Sequence, residues 1–233
     1  MRFNITQRPD ASMLDVVFEQ AGEKLIAEAG AMVGRDSALE MTTAIRGGLG
    51  AALKRKMLGG ESLFQNTFTA SAAGERLQIA PPTEGDVMHI KMTPEMGAIF
   101  IQSSGYLAST EGIELDTKWG GAKGFFSGAG LFLVKASGQG DLFINSFGAI
   151  HEIPVGQPGT MGQGGYVVDT GHILAFSEGA TYNVERVGGL KSFLTSGEGL
   201  VARFGGQGKV WLNTRNASAL ASFLWAFRPR KSN

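Results

Sequence analysis

Three histidines, His89, His151 and His172, are the first side chains to weigh for chemistry, because imidazole is the commonest metal ligand and proton shuttle. Each stands alone. No His-x-His or His-x-x-x-His spacing brings two of them onto one strand or helix face, so a zincin-type or cupin-type metal site has no support in the spacing. They read as structural histidines. Ser103, Ser104, Ser127 and Ser196 sit beside glycines, but no Gly-x-Ser-x-Gly elbow surrounds any of them. The densest carboxylates, Glu111, Glu114 and Asp116, alternate with apolar residues in STEGIELDT, as the wet face of an edge strand would. No catalytic residue, metal ligand or cofactor contact is assigned, and the chain reads as a non-enzyme.

A second kind of chemistry is surface recognition. From Arg46 to Gly60 the chain reads RGGLGAALKRKMLGG, with Lys54, Arg55 and Lys56 set beside Leu49, Leu53, Met57 and Leu58. A short helix from Ala51 to Leu58 would be basic and apolar at once, a composition suited to a membrane surface or a docking partner. Two turns are too short to hold a bilayer alone, so several copies would have to act together. The competing reading is a connecting segment whose Leu and Met side chains plug the core. The glycines of this segment do not make a phosphate loop, since GGLGAALKRK lacks the Gly-Lys-Ser/Thr ending.

The elements that carry these residues are repeated. SGQGDLFIN (137–145) and GGQGKVWLN (205–213) both place a glycine turn before three apolar residues and an asparagine. Upstream, GGAKGFFSGAGLFLVKA (120–136) matches GGLKSFLTSGEGLVARF (188–204), and GGLGAALKRKMLGGESLFQNTF (47–68) is a looser third copy. Gly-Gly pairs begin at Gly47, Gly120 and Gly188, a period of about 70 residues, and each copy has a glycine between apolar segments at Gly30, Gly105 or Gly171. That period exceeds the roughly 20 to 50 residues of solenoid repeats, so each copy should be a small domain. VMHIKM, FIQSSGYLA, LFLVKA, LFIN, YVVDTGHILAF and KVWLN are short apolar runs bounded by turn residues, and read as strands. Pro81-Pro82-Thr83-Glu84-Gly85 and Gly156-Gln157-Pro158-Gly159 read as linkers. One helix is predicted after Asn216, where Leu220, Phe223, Leu224 and Phe227 form one stripe. Pro229 ends it, with Arg228, Arg230 and Lys231 near the negative end of its dipole.

Composition narrows the function classes. Lys plus Arg and Asp plus Glu are 21 each, which argues against nucleic-acid binding, where a basic excess neutralises phosphate. Charged residues are sparse at 18%, glycines number 35, and there is no cysteine. Disulfides and thiolate metal sites are therefore excluded. A low-charge, glycine-punctuated chain suits a β-rich oligomer. The start, MRFNITQRPDASMLDVVFEQ, lacks the layout of a secretory signal, and a cytoplasmic address, at most peripheral to a membrane, is the expectation.

The segments GGESLFQNTFTA, VVDTGHILAFSEGATYNVERVGGLKS and SGEGLVARFGGQGKVWLNTR resemble the altered-inheritance-of-mitochondria family, and the resemblance runs over essentially the whole chain. It implies a fold like that of the tryptophan-RNA-binding attenuation protein, with three domains per chain and a homotrimer forming a pseudo-ninefold ring. Eukaryotic relatives are mitochondrial and are implicated in inner-membrane organisation. The family supplies no catalytic motif, and without a targeting leader this chain is expected to be bacterial. The expectation is an all-β fold of three tandem β-sandwich or double-stranded β-helix-like repeats with a short C-terminal helix. The repeats are placed at 1–84, 85–160 and 161–233, with the longer insert at 46–60 in the first. A homo-oligomeric β-ring scaffold with a membrane surface or protein as partner is the leading function. An RNA-binding ring by fold analogy and a cupin-like small-molecule or metal-binding protein are the alternatives.

Overall fold

The computed structural model describes residues 1–45, 64–116, 132–186 and 200–228. The chain is mostly strand. In order come β1 (Arg2–Thr6), β2 (Met13–Val17), β3 (Lys24–Glu28), β4 (Met32–Arg35), β5 (Glu40–Ile45), β6 (Phe64–Thr69) and β7 (Arg76–Ile79). Then follow β8 (Val87–Met92), β9 (Ile99–Gln102), β10 (Tyr106–Thr110), β11 (Ile113–Asp116), β12 (Leu133–Gly138) and β13 (Gly140–Asn145). The last group is β14 (Ile150–Val155), β15 (Tyr166–Asp169), β16 (Ile173–Ser177), β17 (Ala180–Arg186), β18 (Leu200–Gly206), β19 (Gly208–Asn213) and the helix α1 (Ala217–Trp225). FIQSSGYLA and YVVDTGHILAF each become two strands, split by 3-10 turns at Ser103–Gly105 and Thr170–His172.

The strands form four sheets of antiparallel ladders, in the orders β1-β2-β7-β4, β5-β6-β3-β10-β13-β8, β11-β12-β9-β16-β19-β14 and β15-β18-β17. One pairing scheme recurs. The orders β2-β7-β4, β8-β13-β10 and β14-β19-β16 are equivalent, and so are β3-β6-β5, β9-β12-β11 and β15-β18-β17. Each long sheet joins the second kind of triplet from one group to the first kind from the next, through β3–β10 and β9–β16.

Three apolar cores lie between successive sheets. Leu14, Val16 and Leu77 meet Leu25, Ala27 and Phe68 in the first. Ile90, Leu142 and Tyr106 meet Ile99, Val134 and Trp211 in the second. Phe100, Phe176 and Val210 meet Val168, Ala202 and Phe204 in the third. Burial explains the sequence pattern. β2 and β3 alternate buried and half-buried residues, whereas β9, β10 and β13 lie between two cores and are buried almost throughout. Their sequences IFIQ, YLAST and GDLFIN are accordingly near-continuous apolar runs.

The glycine turns carry the chain from one sheet to the next, β12 to β13 and β18 to β19. Gly138 has φ of +109° and a Cβ there would lie 2.2 Å from the Gly112 carbonyl oxygen. Gln139 N donates to that same oxygen at 3.1 Å, and Gln207 N donates to the Gly179 carbonyl at 3.0 Å in the later turn. Both turns therefore need glycine for conformation and for space.

One buried charge ties the first group to the second. The Asp86 carboxylate is almost fully buried and accepts from Arg8 Nε and Nη2, both at 2.7 Å, and from Ser12 Oγ at 2.9 Å. Burial alone would raise its pKa, but the hydrogen bonds from Arg8 and Ser12 and the Arg8 charge outweigh that and hold it below the ordinary aspartate value. A carboxylate with a depressed folded pKa contributes stability that is present above its unfolded pKa and is lost as pH falls through the folded value. Arg8→Ala is expected to cost about 2–3 kcal/mol at neutral pH, since it strands a buried carboxylate. Measured by urea unfolding against pH, the gap to wild type should be full at pH 7 and shrink below about pH 4. A gap independent of pH would rule this role out.

Candidate interaction surfaces

The sequence-selected surface, Leu49, Leu53, Lys54, Arg55, Lys56, Met57 and Leu58, lies outside the described residues. Ser127 and Ser196 do so as well. The remaining candidates are in view. His89 Nε2 is 2.7 Å from Asp141 Oδ1, beside Lys91 Nζ at 2.9 Å from the same oxygen, and its ring stacks on Phe143 at 4.7 Å. His172 Nδ1 is 2.7 Å from the Asn213 carbonyl, and His151 is exposed on β14. Among the described residues no group of three His, Asp or Glu is arranged to hold a metal ion. Glu111 pairs with Lys24 at 3.0 Å. Glu114 and Asp116 lie exposed on β11, an edge strand, as their alternation indicated. The geometry gathers none of these into a reacting constellation.

Asn145 and Asn213, which close the two GQG-strand motifs, are buried. Asn145 Nδ2 donates to the Ser104 carbonyl at 3.3 Å, and Asn213 Oδ1 accepts from Phe147 N at 3.2 Å. These asparagines satisfy backbone groups where the chain leaves the ladder. The motif announced the turn in the sequence. The use of its asparagine depends on pairings that no local spacing reveals.

Two features stand out instead. The first is a pair of strand edges. Among the described residues β4 pairs with β7 alone and β15 with β18 alone, although β10 and β16 are bonded on both sides where β4 is not, and β3 and β9 where β15 is not. Exposure follows the pairing. Met32 and Val33 on β4 are 38% and 58% exposed, while the corresponding Tyr106 and Leu107 on β10 are fully buried. Val167 on β15 is 45% exposed, while the corresponding Phe100 on β9 is buried and stacked on Phe176 across the β9–β16 seam at 5.1 Å. Edge strands with exposed apolar side chains are templates for pairing with another chain.

The second feature is α1. Asn216 caps it, accepting from Ser218 N at 2.9 Å and Ala219 N at 3.2 Å. From Ala217 to Arg228 every residue is exposed, including Leu220, Phe223, Leu224, Trp225 and Phe227. The predicted apolar stripe is thus formed but uncovered. Beneath the helix runs a groove of about 520 Å3 lined by Pro82, Phe147, Leu174, Leu220 and Leu224, with Asn145 and Asn213 also at its wall.

The pairing pattern defines a class: a mostly β protein of recurring antiparallel units, in which β4 and β15 have one strand neighbour each among the described residues. Similarity to known proteins places it more closely. Residues 3–215 match the model of the family described as mitochondrial biogenesis AIM24, and the chain belongs to that family. An uncharacterized protein of Streptococcus pyogenes serotype M6 is 26% identical over 239 residues, covering 100% of this chain and 93% of that one. The X-ray crystal structure of a Streptococcus pyogenes protein is 24% identical and shares the fold with a TM-score of 0.75, over 97% of this chain and 99% of that chain. The family match ends before α1.

Proposed function

We propose that this protein is a non-enzymatic scaffold built from three tandem units, which joins copies of itself head to tail into a closed homotrimeric ring. The single observation that carries this reading is the pair of open edges, β4 in the first group of strands and β15 in the third. Inside the chain the same two strand positions meet twice, as β3 with β10 and as β9 with β16. Laying β15 of one chain against β4 of the next makes that seam a third time and covers Met32, Val33 and Val167. Such a contact is heterologous, so it closes into a ring when the rotation per chain divides the circle. Strand pairing supports units at 13–80, 87–145 and 150–213, because β14 pairs with β19 and so belongs with the third group rather than the second.

Light scattering on the purified protein is expected to give three times the 24.6 kDa chain mass, and a monomer at micromolar concentration would remove the ring. An RNA-binding ring draws no support from the balanced charge. Filter binding to mixed RNA at low salt is expected to show no retention beyond that of a neutral control protein.

The scaffold acts by presenting a surface to a membrane or a protein partner. No helix among the described residues is long and apolar enough to cross a membrane.

A further inference from the structure

The geometry points to α1 as a lipid-facing element, inserted at the surface of an anionic membrane in several copies from one end of the ring. It rests on the ring reading for its multivalency and on α1 itself for its chemistry.

The sequence of α1, ASALASFLW, has no charged residue and is apolar on nearly every side. A helix of that kind is normally covered, by protein or by lipid. Here none of its residues is buried, and Phe223, Trp225 and Phe227 are 62%, 64% and 71% exposed. Phe223 and Phe227 lie edge to face at 5.1 Å and form one exposed aromatic pair. At about 1.5 Å per residue the helix is far shorter than a bilayer core, which leaves an interfacial position.

Charge favours lipid over a second copy of the chain. After Glu198 the sequence contains no Asp or Glu, and although Arg203 and Lys209 are paired with Glu185 and Glu152, it carries Arg215, Arg228, Arg230 and Lys231 around α1, in a chain whose net charge is zero. The Arg228 guanidinium lies 4.1 Å over the Trp225 ring and donates to the Trp225 carbonyl at 3.0 Å. An aromatic patch with a cation at its border matches the boundary between acyl chains and anionic headgroups. Two copies of this basic helix end would repel each other.

Nine residues bind lipid weakly, and the ring supplies the rest. Cyclic symmetry places every copy of α1 at the same height on the axis, so all of them face one way. Simultaneous contact multiplies affinity without any new contact.

The test is co-sedimentation of the full chain with phosphatidylcholine vesicles, with and without phosphatidylglycerol, run beside light scattering on the same samples. Wild type is expected to sediment with the anionic vesicles and to be released by high salt. Phe223→Ser/Trp225→Ser should keep its oligomeric mass and lose about a hundredfold in vesicle affinity. An intact oligomer that ignores anionic vesicles overturns the lipid assignment and leaves the ring standing. A monomer that binds them through Phe223 and Trp225 overturns the ring and its multivalency, leaving the helix chemistry. Loss of the oligomer in the serine variant shows that α1 packs between copies, and overturns the assignment. So does binding that survives the serine variant but disappears in Lys54→Ala/Arg55→Ala/Lys56→Ala.

Discussion

Val167→Lys is expected to leave the chain folded and to break its assembly, while Val167→Glu at the same place keeps the assembly intact. The contrast follows from register. In the β3–β10 seam Ala27, Ile26 and Leu25 face Ala108, Ser109 and Thr110. In the β9–β16 seam Ile101, Phe100 and Ile99 face Ala175, Phe176 and Ser177. The bulges at Tyr106/Ala108, Ile173/Ala175 and Met32/Gly34 fix the correspondence among β10, β16 and β4. Carried to the open edges, Val168, Val167 and Tyr166 face Gly34, Arg35 and Asp36 of the next chain.

A lysine at 167 would then stand directly opposite Arg35, and like charges in that position are destabilising. It also withdraws a valine from the seam. Together these cost about 2–3 kcal/mol per seam, or roughly 30- to 160-fold in association. Glutamate loses the same apolar contact but gains an opposite charge, so much of that loss is offset. Sedimentation velocity reads the difference, and circular dichroism checks the fold, which Val167 does little to support from its exposed position. If lysine and glutamate act alike, the register is wrong. If neither changes the mass, β15 is not the interface.

How much of this was legible beforehand depends on the kind of information each residue carries. The GQG turns could be read because a left-handed glycine is a local demand, and Gly138 and Gly206 meet it at φ of +109° and +76°. The β class could be read from short runs between turns, and α1 from its cap and spacing. Sheet membership could not. β9 and β10 are three residues apart in the chain yet belong to different sheets, and strands buried on both faces lose the alternation that assigns a side. The open edges were invisible for a related reason. MVGR on β4 and YVVD on β15 are ordinary strand sequences, and only the missing neighbour marks them. The basic-apolar segment was conspicuous by composition, but the surfaces carrying the proposal are Val33, Val167 and the aromatic residues of α1. Those residues look like core until exposure is measured.

Gly85→Ala tests whether the groups of strands are locked together by backbone contact. Ala11, Gly85 and Gly148 lie in line, bridged in parallel from Ala11 to Gly85 and from Gly85 to Gly148. A Cβ on Gly85 would lie 1.7 Å from the Ser146 carbonyl oxygen and 2.8 Å from its carbonyl carbon. Neither is the tip of a side chain that could swing away. The segment is pinned, because Ser146 N donates to the Asp86 carbonyl at 3.0 Å, Asp86 N to Gly148 at 3.1 Å and Gly148 N to Glu84 at 2.9 Å. The same few residues hold Asp86 in place for Arg8 and Ser12. One methyl group therefore has to push a pair of backbones away from each other and loosen a buried ion pair, at an expected cost of about 3 kcal/mol or more. Gly30 is the control, since its φ is +94° but nothing lies within 4 Å of its Cβ position. Gly30→Ala should then carry only the conformational penalty, about 1 kcal/mol. Urea unfolding of the two variants side by side decides the matter. Equal losses would mean that the seam yields to an added methyl, and that the groups are joined by their sheets alone.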